Sequence, residues 1–318
     1  MSDNLDLLKI EKNKEVWKYR CFRGAPLYLM VRFRLLQSMI DQRFDLSSPH
    51  LMPKISVKFK FFYVLKALIN NPFRSKRKPV IIFSSGVVNT KADNGFFYNR
   101  LYEYFLNSNS EKISLIETSN KLIFNSPKKS SVFYRDSLDI IIHILSKLPL
   151  VNKAEKEVIS QFVDYLEKND IPDATNYTRT LVRSLAKYKV GYFVYRFFLK
   201  RKKPQLIIVE DASYGALSYL VDAATSLDIK VAEYQHGYIG LNHPAYNFNC
   251  DYLPLEIGRF LPSYFLTHGD YWSEQCRLPA KKVPIGYPDL INRLMNYPKG
   301  DARPNDSKKV LFISGGTV

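Results

Sequence analysis

Short apolar runs that end in small or polar residues recur along the sequence, with helical patterns between them. Continuous apolar runs of this length are typical of strands that are buried on both faces, as parallel strands are. The runs cover residues 80–83, 114–117, 206–209, 230–234 and 263–267. Helices are predicted over 95–107 and 214–226, and three more within 131–203. This alternation predicts an α/β fold in which helices flank a mostly parallel sheet.

Four of the predicted strands end in polar residues or glycine. In open parallel sheets, ligands bind at the carboxyl ends of the strands, which lie along one edge. We therefore expect the four clusters to form one site, and they are Ser84-Ser85-Gly86, Glu210-Asp211, Gln235-His236-Gly237 and His268-Gly269-Asp270.

Positive charge is concentrated in the first quarter of the chain. Residues 1–78 hold 17 Lys and Arg but only 6 Asp and Glu, and the whole chain has a formal net charge of +17. The segments 26–42 and 54–70 show helical apolar spacing with basic residues in between. Amphipathic basic helices of this kind are predicted to lie on an anionic membrane surface. The basic residues expected there are Arg32, Arg34, Lys58, Lys60, Lys66, Arg74, Lys76, Arg77 and Lys78. Ordinary packing of these helices on the domain behind them is the alternative.

Several other classes of protein are disfavoured. The three cysteines form no CxxC pair and no metal-ligand spacing, so a reduced, cytoplasmic compartment is predicted. The basic helices would place the protein at the inner face of the membrane. The first ten residues lack the pattern of a signal peptide, and no apolar run reaches the ~18 residues of a membrane span. The calculated pI of about 9.5 is typical of nucleic-acid-binding proteins. However, no zinc, helix-turn-helix or RNP-like motif accompanies it, so no nucleic-acid partner is expected.

The densest polar segment follows the fourth predicted strand. Gln235 and His236 stand at the strand tip, Gly237 allows a sharp turn or a close ligand, and His243 follows before Pro244. Two histidines beside Gln and Glu suit recognition or proton transfer at a sugar or a phosphate. A tight turn with surface histidines is the alternative.

This segment resembles the strand-loop motif of bacterial surface-polysaccharide glycosyltransferases of the GT-B type, a group that includes relatives of the Kdo transferases and the teichoic-acid polymerases. The resemblance rests on Gln235-His236-Gly237, followed by His243-Pro244 and Tyr246. Two other stretches are similar to the same group: the Asn-Gly-x-x-Tyr-Asn loop at 94–99, and the Gly-x-Pro step at 286–288. The resemblance extends from about Pro79 to the last residue.

The resemblance implies a domain organisation. Residues 79–295 would form the Rossmann-like, acceptor-side N-terminal domain of a GT-B fold, preceded by the basic helical segment 1–78. Residues 296–307 would be a linker, and 308–318 the first strand of a donor-binding domain cut short at Val318. Such enzymes transfer a sugar from a nucleotide-sugar donor, without metal or other cofactor, to a bacterial surface polysaccharide or a lipid-linked acceptor. The fragment alone is expected to be inactive.

Roles for the polar residues follow. His236, Glu210 and Asp211 are the catalytic candidates, as general base or nucleophile. Adjacent strand residues point to opposite faces, so one of the two carboxylates should reach the cleft; capping of the next helix by Asp211 or Ser213 is the alternative. The expected substrate contacts are Gln235, Gly237, His243, Tyr246, Asn94, Tyr98, Asn99, His268 and Asp270. A turn and a helix start would explain the residues at 94–99 equally well.

Two other functions remain open. The domain is also compatible with a non-catalytic module that binds a glycan or an anionic lipid through its basic face. A nucleotide-sugar epimerase built on the same GT-B architecture is the other alternative.

Overall fold

The computed structural model describes residues 9–44, 56–171, 173–241 and 243–295, with side chains omitted for 41–44. The predicted linker at 296–307 and the predicted strand within 308–318 lie outside these ranges. Within them, no helix combines the length and apolar character needed to cross a bilayer.

The chain alternates strands and helices, as predicted. The strands are β1 (Val80–Ser85), β2 (Asn89–Lys91), β3 (Phe97–Asn99), β4 (Ile113–Thr118), β5 (Val132–Tyr134), β6 (Leu206–Val209), β7 (Lys230–Tyr234), β8 (Tyr264–Thr267) and β9 (Lys281–Pro284). The α-helices are α1 (Leu27–Phe44), α2 (Val57–Ile69), α3 (Glu103–Asn109), α4 (Asp136–Leu145), α5 (Lys153–Lys168), α6 (Tyr177–Lys202), α7 (Ser218–Thr225), α8 (Asp270–Glu274) and α9 (Pro288–Met295).

Seven strands form one all-parallel sheet in the order β5-β4-β1-β6-β7-β8-β9. The chain first winds outward from β1 to β5 and then crosses over to β6 on the other side of β1. This is the Rossmann-like topology, and its order reverses between β1 and β6, the position at which such sheets commonly bind ligands. The predicted fold class is confirmed.

The sheet is buried on both faces because its central strands are apolar throughout. Ile81 and Phe83 belong to the larger core, which includes residues of α1, α4, α5, α6 and α7. Ile82 belongs to a smaller core on the opposite side, with Leu106 of α3. The carboxyl ends of the strands therefore remain the accessible edge between the two helical layers.

The two basic helices differ in environment, and α1 is a core helix. Its apolar residues Leu27, Val31 and Leu35 are fully buried. Arg32 is only 2% exposed and pairs with the buried Glu11 at 2.6 Å, so the prediction that Arg32 contacts a membrane is wrong. Its position beside the apolar stripe of α1 turns it inward.

Helix α2 instead exposes most of its apolar residues. Val57 is 83% exposed, Phe61 64%, and Leu68 50%, and Ala67 is its buried residue. Its lysines Lys58 and Lys60 are exposed as well. Packing on the domain behind therefore accounts for α1, but in α2 only for the side that carries Tyr63 and Ala67.

The helix predicted over 95–107 is wrong in its first half. Residues 89–91 and 97–99 form the antiparallel pair β2–β3, and the helix α3 begins only at Glu103. Gly95, with φ of +84°, lies in the tight turn that joins the two strands, where a helix cannot continue.

Candidate functional site

A buried carboxyl group joins the ends of β1 and β6. Glu210, just after β6, is 5% exposed and accepts hydrogen bonds from the Ser84 hydroxyl at 2.6 Å and from the Ser85 amide at 2.7 Å. Burial raises the pKa of Glu210 to about 8, and the neighbouring Asp211 acts in the same direction. Glu210 thus holds the β1 turn in place and does not present a free carboxylate to solvent.

A raised pKa predicts a pH dependence of stability. Folded Glu210 keeps its proton to about pH 8, whereas the unfolded side chain releases it near pH 4.5. The folded state therefore binds more protons, and the free energy of unfolding falls as pH rises through this window. Burial lowers the pKa values of His243 and His268, so their unfolded forms bind more protons and oppose this slope. They do so equally in wild type and in Glu210→Gln, so the difference between the two proteins isolates Glu210. Glu210→Gln should remove the contribution of this one proton to the dependence of the free energy of unfolding on pH, which is up to ~1.4 kcal/mol per pH unit.

Urea unfolding of wild type and Glu210→Gln at several pH values from about 6.5 to 8 measures this difference. Parallel slopes for the two proteins would show that Glu210 holds no such proton.

A second network holds the tips of β1 and β4 together. Asn99 is 1% exposed, and its amide donates to the Ser84 hydroxyl and to Glu117, each at 3.0 Å. Lys128 pairs with the other oxygen of Glu117 at 2.6 Å. The predicted role of Asn99 in substrate binding is therefore wrong, because every polar atom of its side chain is used inside the protein.

The tip of β7 carries a buried acidic group beneath the histidine. Glu233 is fully buried and accepts hydrogen bonds from Ser213 and from the Tyr246 hydroxyl, the latter at 2.9 Å. Burial raises the pKa of Glu233 above its usual range, although these hydrogen bonds oppose the rise. Tyr246 is 1% exposed, so it cannot contact a substrate as predicted; it supports His236 from below.

His236 lies between two partners and keeps one side open. Its Nδ1 is 3.4 Å from the Tyr246 hydroxyl, and its Nε2 is 3.6 Å from Oδ1 of Asp211. The side chain of His236 is 21% exposed and that of Asp211 45% exposed. Burial lowers the pKa of His236, an effect that the Asp211 carboxylate opposes. The ring is therefore neutral near pH 7 and able to accept a proton that Asp211 would stabilise.

Of the two adjacent carboxylates, Asp211 is the one whose side chain reaches solvent, beside His236. The alternative, helix capping, is not formed. Asp211 makes no side-chain capping bond, and the Ser213 hydroxyl is bound to Glu233.

His243 does not reach the open side of the site. Its Nδ1 accepts a hydrogen bond from the Ala245 amide, and its Nε2 lies 3.3 Å from the Tyr214 hydroxyl. Burial lowers the pKa of His243 to about 4. With both nitrogens occupied, His243 fixes the loop after β7, so the expected substrate contact is wrong.

Gln235 and His268 join the tips of β7 and β8. Gln235 is fully buried and accepts a hydrogen bond from the His268 amide at 2.8 Å. The His268 ring stacks on Tyr287 with centroids 4.5 Å apart. Among the described residues, its Nε2 has no hydrogen-bond partner although that atom is buried. Burial lowers the pKa of His268 to about 4, so the ring offers a neutral imidazole nitrogen.

These tips line a cleft of about 560 Å³. His236, His268 and the backbone of Gly237 form its polar floor, and helix α9 contributes Leu290 and Ile291 to one wall. Sequence reasoning missed five other lining residues, which are Arg100, Tyr238, Trp272, Gly286 and Tyr287. Isolated aromatic residues in loops carry no periodic signal, although Tyr287 lies within the Gly-x-Pro step noted above.

Gly237 leaves room for a ligand. A Cβ atom added there would meet no atom of the described residues within 4 Å, and its φ is not in the left-handed region. The glycine is therefore not needed for a strained turn. Of the two reasons given for it, close approach of a ligand is the one that the geometry supports.

The remaining predicted contacts lie beside the cleft. Asn94 and Tyr98 line a smaller cavity of about 240 Å³, which shares Arg100 with the main cleft. Asp270 is exposed at the start of α8 and does not line either cavity. Arg100 thus lies where the two cavities meet.

No model of a known protein family matches this chain, and no curated protein sequence matches it. The function is therefore argued from the site itself.

The described residues contain no group of three or more His, Cys, Asp or Glu that could hold a metal ion. What the cleft offers instead is neutral imidazoles, one guanidinium and aromatic faces, with the exposed carboxylate of Asp211 beside His236. Such a set suits hydroxyl-rich ligands that are gripped by hydrogen bonds and by ring faces.

Proposed function

We propose that this chain is the acceptor-side domain of a glycosyltransferase of the GT-B type, which transfers a sugar from a nucleotide-sugar donor to a bacterial surface polysaccharide or a lipid-linked glycan. The observation that carries the proposal is the placement of His236 in the lining of an aromatic-walled cleft on the carboxyl edge of the sheet, with the exposed carboxylate of Asp211 beside it. The likeness of Gln235-His236-Gly237 to the motif of those enzymes supports it.

In the proposed reaction, the acceptor hydroxyl lies against Nε2 of His236. The imidazole takes the hydroxyl proton as the oxygen bonds to the anomeric carbon, and the nucleotide leaves with the electrons of its bond to that carbon. Asp211, 3.6 Å away, stabilises the imidazolium that forms. Glu233 and Tyr246 hold the ring in position from the buried side.

Acceptor binding in the cleft is testable at Gly237. Gly237→Ala should fold as wild type does, because the added methyl group meets no atom of the described residues, and it should weaken binding modestly because the methyl group takes space beside the ligand. Gly237→Val should fold equally well but fill the cleft, and should weaken binding of capsule or lipopolysaccharide oligosaccharides by about tenfold or more.

Equilibrium titration of an oligosaccharide panel into the three proteins measures this effect, with thermal unfolding as the check on folding. Wild-type affinity in Gly237→Val would place the acceptor elsewhere.

Two alternatives differ in their products. A nucleotide-sugar epimerase would produce an isomerised nucleotide sugar without extending the glycan. A non-catalytic module would produce neither an isomerised donor nor an extended glycan. Product analysis of the complete gene product separates the three.

We also propose that α2 rests on an anionic membrane surface. Its exposed Val57, Phe61 and Leu68 alternate with Lys58 and Lys60, a composition suited to the boundary between lipid headgroups and acyl chains. Glycan acceptors linked to lipid would then be presented beside the domain.

Phe61→Asp should lower partitioning onto vesicles of phosphatidylcholine with phosphatidylglycerol by about tenfold, because a buried Phe contributes ~1.5–3 kcal/mol. Leu255, which is 96% exposed and distant in sequence, provides the matched control Leu255→Asp. Cosedimentation with the vesicles measures the partitioning of both variants. Equal partitioning of Phe61→Asp and Leu255→Asp would show that α2 does not contact the membrane.

A further inference from the structure

Another cavity, distinct from the two described above, lies away from the strand tips, between helix α6 and the loop that joins α4 to α5. Its volume is about 700 Å³, within the roughly 300–1,000 Å³ typical of small-molecule sites. Val182 and Ala186 of α6 and Leu148 and Val151 of the loop supply apolar walls. The function proposed above makes no use of this cavity.

Four cationic side chains surround the cavity: Lys147, Lys156, Arg183 and Lys187. None of its described lining residues is acidic. Within the part of the chain that the structure describes, no ion pair engages any of the four. The nearby Glu155 is bound to Lys189 at 2.5 Å and so is already paired. The rim therefore carries an uncompensated positive field.

Apolar side chains stand exposed next to this rim. Leu148 of the loop is 54% exposed, and Ile144 and Leu145 at the end of α4 are 57% and 42% exposed. Helix α4 also packs against α2, whose apolar residues are exposed too. A free inorganic anion would satisfy the four cations but would leave the apolar walls and their exposed neighbours in contact with water.

We propose that this cavity is a binding site for the headgroup of an anionic phospholipid. The phosphate would lie among Lys156, Arg183 and Lys187, and the first part of the acyl chains would lie along Leu148 and the end of α4. Charge and apolar surface are thus both matched by one ligand. The site is separate from the cleft at the β7 and β8 tips and does not depend on sugar transfer.

The test uses lipid that is monomeric in solution, so that bilayer contact of α2 plays no part. Dihexanoyl-phosphatidylglycerol, kept below its critical micelle concentration, is titrated into the chain by isothermal calorimetry. One molecule should bind per chain, and dihexanoyl-phosphatidylcholine should bind at least about tenfold more weakly, because its net charge is zero.

Charge reversal then locates the site. Lys156→Glu/Arg183→Glu should weaken phosphatidylglycerol binding by about tenfold or more. Lys230→Glu/Lys281→Glu makes the same change in net charge at exposed positions at the starts of β7 and β9, and should bind as wild type does. Leu148→Asp tests the apolar wall at an exposed position, where folding is not at risk, and should also weaken binding.

Several results would overturn the proposal. One is the absence of phosphatidylglycerol binding, and another is equal binding by the two charge-reversal variants. Equal affinity for inorganic phosphate would point to a soluble anion, and equal affinity for poly-glutamate would point to an acidic protein segment. The lipid titration contains no donor or acceptor sugar, so a negative result would not contradict the proposed transferase function. A negative result for sugar transfer would likewise not contradict lipid binding at this cavity.

Discussion

Replacing Arg32 with Met should lower the free energy of unfolding by about 3–5 kcal/mol, the usual cost of breaking a buried ion pair from one side. Arg32 pairs with Glu11, which is 1% exposed, and donates to the backbone carbonyl groups of Pro244 and Asn247. Its guanidinium also lies 3.7 Å from the centre of the Phe248 ring. Removing it leaves two buried carbonyl groups without this donor. It also leaves the buried Glu11 carboxylate without its counter-ion, although the Tyr28 hydroxyl and the Asn249 amide still donate to Glu11.

Arg34 supplies the matched control, since it lies on the same helix two residues away but is exposed. Arg34→Met should change the free energy of unfolding by no more than about 0.5 kcal/mol. Urea unfolding measures both variants. Glu11→Gln combined with Arg32→Met should recover part of the loss, because the stranded charge is removed. Equal stability of the two single variants would contradict the buried role of Arg32.

The central strands were predictable because they lie in the middle of the sheet. The predicted strands at 206–209 and 230–234 coincide with β6 and β7, and those at 80–83, 114–117 and 263–267 match β1, β4 and β8 to within two residues at either end. The two missed strands of the large sheet, β5 and β9, are its edges. Edge strands are commonly short and carry charge or proline, as β9 does with Lys281 and Pro284.

The environment of the basic helices was harder to predict, because which face is buried is decided by tertiary packing. Arg32 and Arg34 are both basic residues between apolar ones. A signal was nevertheless present: Tyr28, Leu35 and Leu36 are spaced three or four residues from Arg32, and all three are buried. Helix α2 has the same kind of pattern and yet exposes it, which sequence periodicity alone does not distinguish.

In the candidate site, the sequence identified which strand tips meet but not which polar side chains stay free. His236 and His243 look alike in the sequence, yet only His236 lines the cleft, because His243 is bound to Tyr214 and the Ala245 amide. Strand order and the position of each residue within a strand indicate the edge. Hydrogen-bond partners that are distant in sequence decide the rest.

His236→Ala should lower the turnover of sugar transfer by about 10²–10⁴, the range typical of a lost general base. Donor affinity should change little, since the proposed role of His236 is towards the acceptor hydroxyl. Folding should be retained, because the contacts of His236 with Tyr246 and Asp211 are long, at 3.4 Å and 3.6 Å, and because Glu233 and Tyr246 keep their own hydrogen bond. Added imidazole should restore part of the rate, which a purely structural role of His236 would not allow.

The most direct measurement is the rate of glycan extension by the complete gene product, with and without His236→Ala, at saturating donor and acceptor. We expect the rate of the wild type to fall at acidic pH as the imidazole gains a proton, and to do so below the ordinary range of a histidine because burial lowers the pKa of His236. We expect the variant to be slow at every pH and to be rescued by imidazole. Equal turnover of the two proteins, with the same pH profile, would contradict the assignment of the cleft as the site of transfer.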